Sequence, residues 1–103
     1  MTNPWAGEVG LTVDGVRHEM RLPLGALAEL EDALGDAGLI PLIERFETGS
    51  FTAKDLIAVL GAGLRGGGAD IGVEALSNGV IEGGATEAAR AAARLLARSF
   101  AIQ

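Results

Sequence analysis

Three glycines form the clearest chemical motif of the sequence, because Gly61, Gly63 and Gly66 match the G-x-G-x-x-G pattern of dinucleotide-binding turns. Such a turn needs a preceding strand, a helix that opens at the third glycine and an acidic residue about 20 positions further on. The apolar run Leu56–Leu60 could form the strand, but Gly67-Gly68 would stop the helix. Since the chain holds 16 glycines, three matching positions are weak evidence, and nucleotide binding is only an alternative interpretation.

Residue types that carry catalysis or bind metals are few. His18 is the only histidine, and it has no nucleophile or paired acid near it in sequence beyond its neighbour Glu19. The absence of cysteine excludes disulfides, thiolate chemistry and the usual zinc sites. The carboxylates are spaced as exposed helix faces and not as metal ligands. We therefore expect a protein that acts by binding and is not an enzyme, without catalytic residues, cofactor or metal.

Charge and hydropathy narrow the range of partners. The formal net charge is −6, and many of the acids lie in one region whose only base is Arg45. These acids are Glu29, Glu31, Asp32, Asp36, Glu44 and Glu47. Such a region repels nucleic acid, no apolar run is long enough to span a membrane, and the N-terminus lacks the features of a secretory signal. We expect a cytoplasmic protein that binds neither nucleic acid nor membranes.

The first folded element predicted is a β-hairpin over residues 8–22. Apolar residues alternate with polar or small ones on both sides of Asp14-Gly15, a dipeptide that strongly indicates a two-residue hairpin turn. An isolated hairpin is marginal in water, so its apolar face should pack on helices. Its outer edges could accept a partner strand, but Arg17, Glu19 and Arg21 favour a solvated edge.

Helical patterns occupy residues 24–100, and the central helix is predicted over 52–66. Thr52 stands at its N-cap, and Asp55, three residues on, completes a capping box. Apolar residues cover more than one face of this helix, so other elements should surround it. In this interpretation the glycines of the segment allow a neighbouring backbone to approach closely and then end the helix.

The remaining helices should pack around the central one. They are predicted over 24–34, 39–48, about 70–78 and from 86 to about 100. The buried stripe of the last helix should comprise Ala89, Ala92, Leu96 and Phe100. The sequence therefore predicts an α+β fold in a single domain, residues 1–103, with an N-terminal β-hairpin followed by a compact bundle of four to five helices.

Arginines recur every four residues along the last helix, at Arg90, Arg94 and Arg98, and therefore share one row. One interpretation is a solvated face that complements the C-terminal helix dipole, and the other is a docking surface. Trp5, the only tryptophan, is likewise either a partner anchor or a residue that packs on the core of its own domain. Trp5 and the three arginines are the candidate partner-binding residues.

Three segments and the hairpin together resemble one known family. The segments are Asn3–Val9 (NPWAGEV), Leu24–Glu31 (LGALAELE) and Leu64–Gly68 (LRGGG). Over essentially the whole chain, the sequence is similar to the gene transfer agent family of phage-like tail assembly chaperones. These small proteins are encoded among the tail genes of alphaproteobacterial gene transfer agents, beside the major tail protein and the tape-measure protein.

The resemblance implies a non-catalytic helper that coats the tape-measure protein, delivers tail-tube subunits and is absent from the finished particle. Its partners would be the tape-measure protein, the major tail protein or both, and a homo-oligomer is compatible with this role. The alternative from a different class is a structural tail (tube) component of the particle. We expect the last helix to contribute to tape-measure binding through its arginine row.

Overall fold

Two strands and five helices follow one another along the residues described by the computed structural model, 8–35 and 38–100. They are β1 (Val9–Val13), β2 (Val16–Met20), α1 (Leu24–Leu34), α2 (Leu39–Thr48), α3 (Ala53–Gly66), α4 (Val73–Asn78) and α5 (Gly84–Ser99). The predicted α+β class, with a hairpin followed by helices, is confirmed. Trp5 and the rest of the segment 1–7 lie outside the described residues.

The hairpin forms around its predicted turn. β1 and β2 pair antiparallel in a register that joins Val13 to Val16 beside the turn. Asp14 and Gly15 have φ values of 51° and 81°, the positive values that a tight two-residue turn requires at both positions. One face of the hairpin packs against α3 and α5, as an otherwise marginal two-stranded sheet requires.

The outer edge of β1 is covered by residues 80–82 of the same chain. The carbonyl of Thr12 accepts a hydrogen bond of 3.0 Å from the Glu82 amide, and the Asp14 amide donates one of 2.8 Å to the carbonyl of Val80. The Asp14 carboxylate in turn accepts a bond of 2.8 Å from the Val80 amide. The prediction of a solvated edge is therefore wrong for β1, because the segment between α4 and α5 returns across it.

α3 lies at the centre of the helical part, as predicted. It contacts α1, α4, α5 and β2, and Leu60 and Leu64 on it are 3% and 0% exposed. The predicted capping box is formed: the Thr52 hydroxyl accepts from the Asp55 amide at 3.1 Å, and the Asp55 carboxylate accepts from the Thr52 amide at 2.9 Å. These two bonds satisfy amides that the first turn of a helix otherwise leaves without partners.

Two glycines of α3 allow the hairpin and α5 to approach it closely. A Cβ atom added at Gly63 would lie 2.6 Å from Leu95 Cδ1, and the carbonyl of Gly63 accepts a hydrogen bond of 3.0 Å from the Arg21 amide. A Cβ atom added at Gly66 would lie 2.2 Å from the carbonyl oxygen of Arg21. The interpretation of Gly63 as a close-packing position is therefore confirmed, whereas Gly66, which was predicted to end the helix and does so, is a second close-packing position that was not predicted.

Glycines also bound the three shorter helices near their predicted ends. Gly35 and Gly49 follow α1 and α2 with φ values of 68° and 75°, which other residues rarely adopt. α4 lies between Gly72 and Gly79 and buries only Leu76. Leu76 is therefore the one side chain that this short helix buries in the core.

α5 differs from its prediction in its start and in its buried face. It begins at Gly84 and not at Thr86. Its buried residues are Ala88, Ala91, Ala92, Leu95 and Leu96. Ala92 and Leu96 were predicted correctly, but Ala89 is only half-buried and Phe100 is 40% exposed. The stripe was wrong because alanines occupy several faces of this helix, so the apolar pattern alone does not fix which face turns inward, and Leu95 packs beside Gly63.

Candidate protein-binding surfaces

The predicted arginine row lies along one side of α5, with two of its three members exposed. Arg90 and Arg94 are exposed, and Arg90 pairs with Glu87 of the same helix at 3.1 Å. Arg98 is half-buried, and its guanidinium donates to the backbone carbonyl of Glu8. This hydrogen bond therefore links the residue before β1 to α5. The part that the row plays in partner binding stays a prediction.

Exposed alanines lie beside these arginines. Ala93 and Ala97 are exposed and neighbour Arg90 and Arg94 on the helix surface. We call Arg90, Ala93, Arg94 and Ala97 the α5 outer face. Among the described residues Arg94 makes no ion pair, so its charge is available to a partner.

An acidic helix face lies on α2. Ile40, Glu44 and Glu47 are exposed and recur at helical spacing, and we call them the α2 outer face. Ile40, near the start of α2, is 66% exposed and adds an apolar side chain to this acidic face. Within the described part of the chain neither glutamate forms an ion pair. Sequence reasoning grouped these acids but attached no importance to Ile40.

An apolar groove separates these two faces, and we call it the α2–α5 groove. It has a volume of about 310 Å³, and its apolar lining comes from α2 and from the end of α5. The lining residues are Ile43, Phe46, Glu47, Ala93, Leu96, Ala97 and Phe100. Since Glu47 belongs to the α2 outer face and the two alanines to the α5 outer face, the groove has an acidic border on one side and a basic border on the other.

Two further apolar grooves flank α4. One, of about 260 Å³, lies between α1 and α3, and the other, of about 380 Å³, lies between α3, α4 and the start of α5. Ile57 of α3 lines both. Val73 and Val80, at the two ends of α4, are 56% and 71% exposed. The surface of α3 on both flanks of α4 is therefore apolar and exposed.

A bidentate ion pair holds α2 against α3. The Arg45 guanidinium donates to both carboxylate oxygens of Asp55, at 2.8 and 2.9 Å, and Asp55 is buried. The hydrogen bond from Arg45 lowers the pKa of Asp55 below its ordinary value, and the bond from the Thr52 amide acts in the same direction. Asp55 correspondingly raises the pKa of Arg45. The pair fixes the position of α2 and with it the orientation of the α2 outer face.

A second ion pair ties α1 to α3. Arg65 donates from Nε to the Glu29 carboxylate at 2.6 Å and from its terminal nitrogen to the carbonyl of Ile71 at 2.9 Å. Its guanidinium lies over Gly61, where an added Cβ would be 3.1 Å away. The expectation that Gly61 admits a neighbouring backbone is therefore wrong, because the space is taken by a side chain of the same helix.

The glycine motif does not have the geometry of a nucleotide-binding turn. Leu56–Leu60 is helical, and Gly61 and Gly63 lie inside α3, so that neither the preceding strand nor the new helix N-terminus is formed. In residues 8–35 and 38–100, no group of three or more His, Asp or Glu side chains could hold a metal ion. A membrane-spanning helix is likewise not found among the described residues.

The family described as "Phage tail tube protein, GTA-gp10" matches residues 6–102, and the chain belongs to that family. The predicted membership of a gene transfer agent or phage-like tail family is thereby confirmed. No significant match was found among curated proteins or among solved structures.

Proposed function

We propose that this chain is a structural component of a phage-like tail tube, which acts by non-catalytic contacts with other tail proteins. The observation that carries the proposal is the family match over residues 6–102, nearly the whole chain, to a family described as a tail tube protein. Other tail subunits are therefore the partners that we propose, and the major tail protein is the first to test.

The abundance of the protein in finished tails tests this proposal. Particles purified from cells that make the protein would be analysed by quantitative mass spectrometry, with the major tail protein as internal reference. A tube component should be present at a fixed ratio to that reference and should stay with the tail after a high-salt wash. A protein found in assembly intermediates and missing from washed particles would contradict a structural role.

An assembly chaperone for tail proteins is the second candidate, and the open side of α3 favours it. The grooves beside α4 and the exposed Val73 and Val80 offer apolar surface to a client such as the tape-measure protein. A chaperone should capture the tape-measure protein before assembly and be released from the particle. Val80→Asp should weaken this capture without unfolding the protein, whereas Glu74→Gln, an exposed change on α4, should leave capture unchanged.

A further inference from the structure

The surface around the α2–α5 groove is complementary to itself. Its centre is apolar, with Ile43, Phe46 and Phe100 in the groove, and its two borders carry opposite charge. When two copies face each other across a two-fold axis that runs along the groove, the acidic border of one copy lies on the basic border of the other. An apolar centre with a charged rim is the usual composition of a specific protein interface. The second copy therefore offers opposite charge to Arg94, Glu44 and Glu47, which form no ion pair among the described residues of one chain.

The spacing of the charges suits this contact. Arg90 and Arg94 are separated by about 6 Å along the axis of α5, and Glu44 and Glu47 by about 4.5 Å along α2, at 1.5 Å per residue. The long arginine side chains can bridge the difference. Between the arginines, alanine side chains allow a facing helix to come close, and the exposed Ile40 supplies an apolar side chain to lie against them.

Two arginines of the helices beside the acidic border have partners elsewhere. Arg45, the base on the same helix, is committed to the buried carboxylate of Asp55, and Arg65 is committed to Glu29. Arg94 makes no ion pair among the described residues. Glu47 of the α2 outer face and Ala93 and Ala97 of the α5 outer face line the same groove, so both faces border one opening that a single partner can cover.

We propose that this chain forms a two-fold symmetric homodimer in which the α5 outer face of each copy binds the α2 outer face of the other, covering both α2–α5 grooves. The contact is isologous and therefore closes at two copies. It does not depend on the proposed function, because it is a property of the isolated protein in solution.

Sedimentation velocity over a concentration series at low salt tests the dimer. The wild-type protein should reach the mass of two chains and no more. Arg94→Glu and Glu44→Arg each place like charges opposite one another, so each should raise the apparent Kd at least about tenfold. Higher salt should weaken the wild-type dimer. Circular dichroism would show that every variant keeps its helices.

Complementary charge reversals distinguish the loss of this specific contact from a general loss of association. An equimolar mixture of Arg94→Glu and Glu44→Arg chains should dimerise although neither does so alone, because every contact in the mixed dimer again joins opposite charges. The double variant on one chain should also regain dimerisation. Lys54→Glu and Glu74→Arg reverse exposed charges outside both faces and should leave the Kd unchanged.

A wild-type protein that is monomeric at its highest attainable concentration would overturn the proposal. Open-ended association beyond two copies, or a mixture that stays monomeric, would also overturn it. None of these results bears on the structural role in the tail, which is tested separately by the abundance of the protein in finished tails. Conversely, a dimer that depends on Arg94 in a protein missing from tails would overturn only the structural role.

Discussion

The two sides of α3 differ in how their neighbours are held. On the hairpin side, Gly63 and Gly66 bring β2 and α5 so close that an added Cβ atom would overlap them. On the other side, α4 covers α3 with Leu76 as its single buried residue and leaves a groove on each flank. The hairpin side of α3 is therefore closely packed, whereas the α4 side leaves apolar surface exposed, and we expect the hairpin side to contribute more to stability.

An unpartnered charge placed on each side should give the largest difference between them. Met20 on β2 is fully buried, so Met20→Asp should cost several kcal/mol, a large part of the roughly 5 to 15 kcal/mol that stabilises a small domain. Val73→Asp, at a position 56% exposed at the start of α4, should change stability by about 0.5 kcal/mol or less. Urea unfolding of both variants checks this. Equal destabilisation would show that the two sides are not different.

Loss of the α2–α3 ion pair should have the next largest effect. Asp55→Ala removes the capping box of α3 together with a charge-assisted bidentate bond, which together contribute about 2 to 4 kcal/mol. Asp32→Ala, an exposed aspartate of α1, is the matched control and should stay near wild type. Thermal unfolding measures both. A small effect at Asp55 would mean that α2 is held mainly by its apolar contacts.

Much of the secondary structure could be predicted from short sequence patterns. The Asp14-Gly15 turn, the Thr52–Asp55 capping box and the glycines after α1 and α2 act over a few residues, so the ends of most elements followed from local chemistry alone. Contacts between distant residues could not be predicted in this way. Arg45 with Asp55 and Arg65 with Glu29 depend on how the helices pack.

The candidate surfaces were predicted only in part for the same reason. Spacing predicted the arginine row, but the hydrogen bond of Arg98 to the Glu8 carbonyl depends on where β1 lies beside α5. The alanines of α5 left its rotation open, so Phe100 was assigned to the core and lies instead in the α2–α5 groove. The pairing of residues 80–82 with the outer edge of β1 could not be predicted either, because it depends on the tertiary path of that segment.

Glycine-to-alanine substitutions at two positions of α3 should further test how closely its hairpin side is packed. Gly63→Ala overlaps Leu95 and should cost about 1 to 3 kcal/mol, as other overpacked core positions do. Gly61→Ala meets only the movable guanidinium of Arg65, so it should be neutral or stabilise the helix by up to about 1 kcal/mol. Chemical unfolding of the pair gives both values. If both variants lost the same stability, close packing at Gly63 would not be the cause.

Acid should reveal the Asp55 pair through a smaller effect. Because the folded protein lowers the pKa of Asp55, the carboxylate stabilises the fold above the ordinary aspartate pKa of about 3.9, and this contribution is lost as pH falls below that value. Wild type should therefore lose more stability than Asp55→Asn between neutral pH and about pH 3. Parallel denaturant titrations at each pH measure the difference. Curves with identical pH dependence would contradict the role of the pair.

Hydrogen exchange by mass spectrometry on the wild-type protein tests the difference between the two sides of α3 most directly. The β2 amides that bond to β1, and the amides of the second half of α3, should exchange only through global unfolding, since they lie where the packing is closest. The amides of α4 should exchange many-fold faster through local opening, because Leu76 alone is buried there. Protection of α4 equal to that of β2 would contradict the distinction between a closed side and an open side.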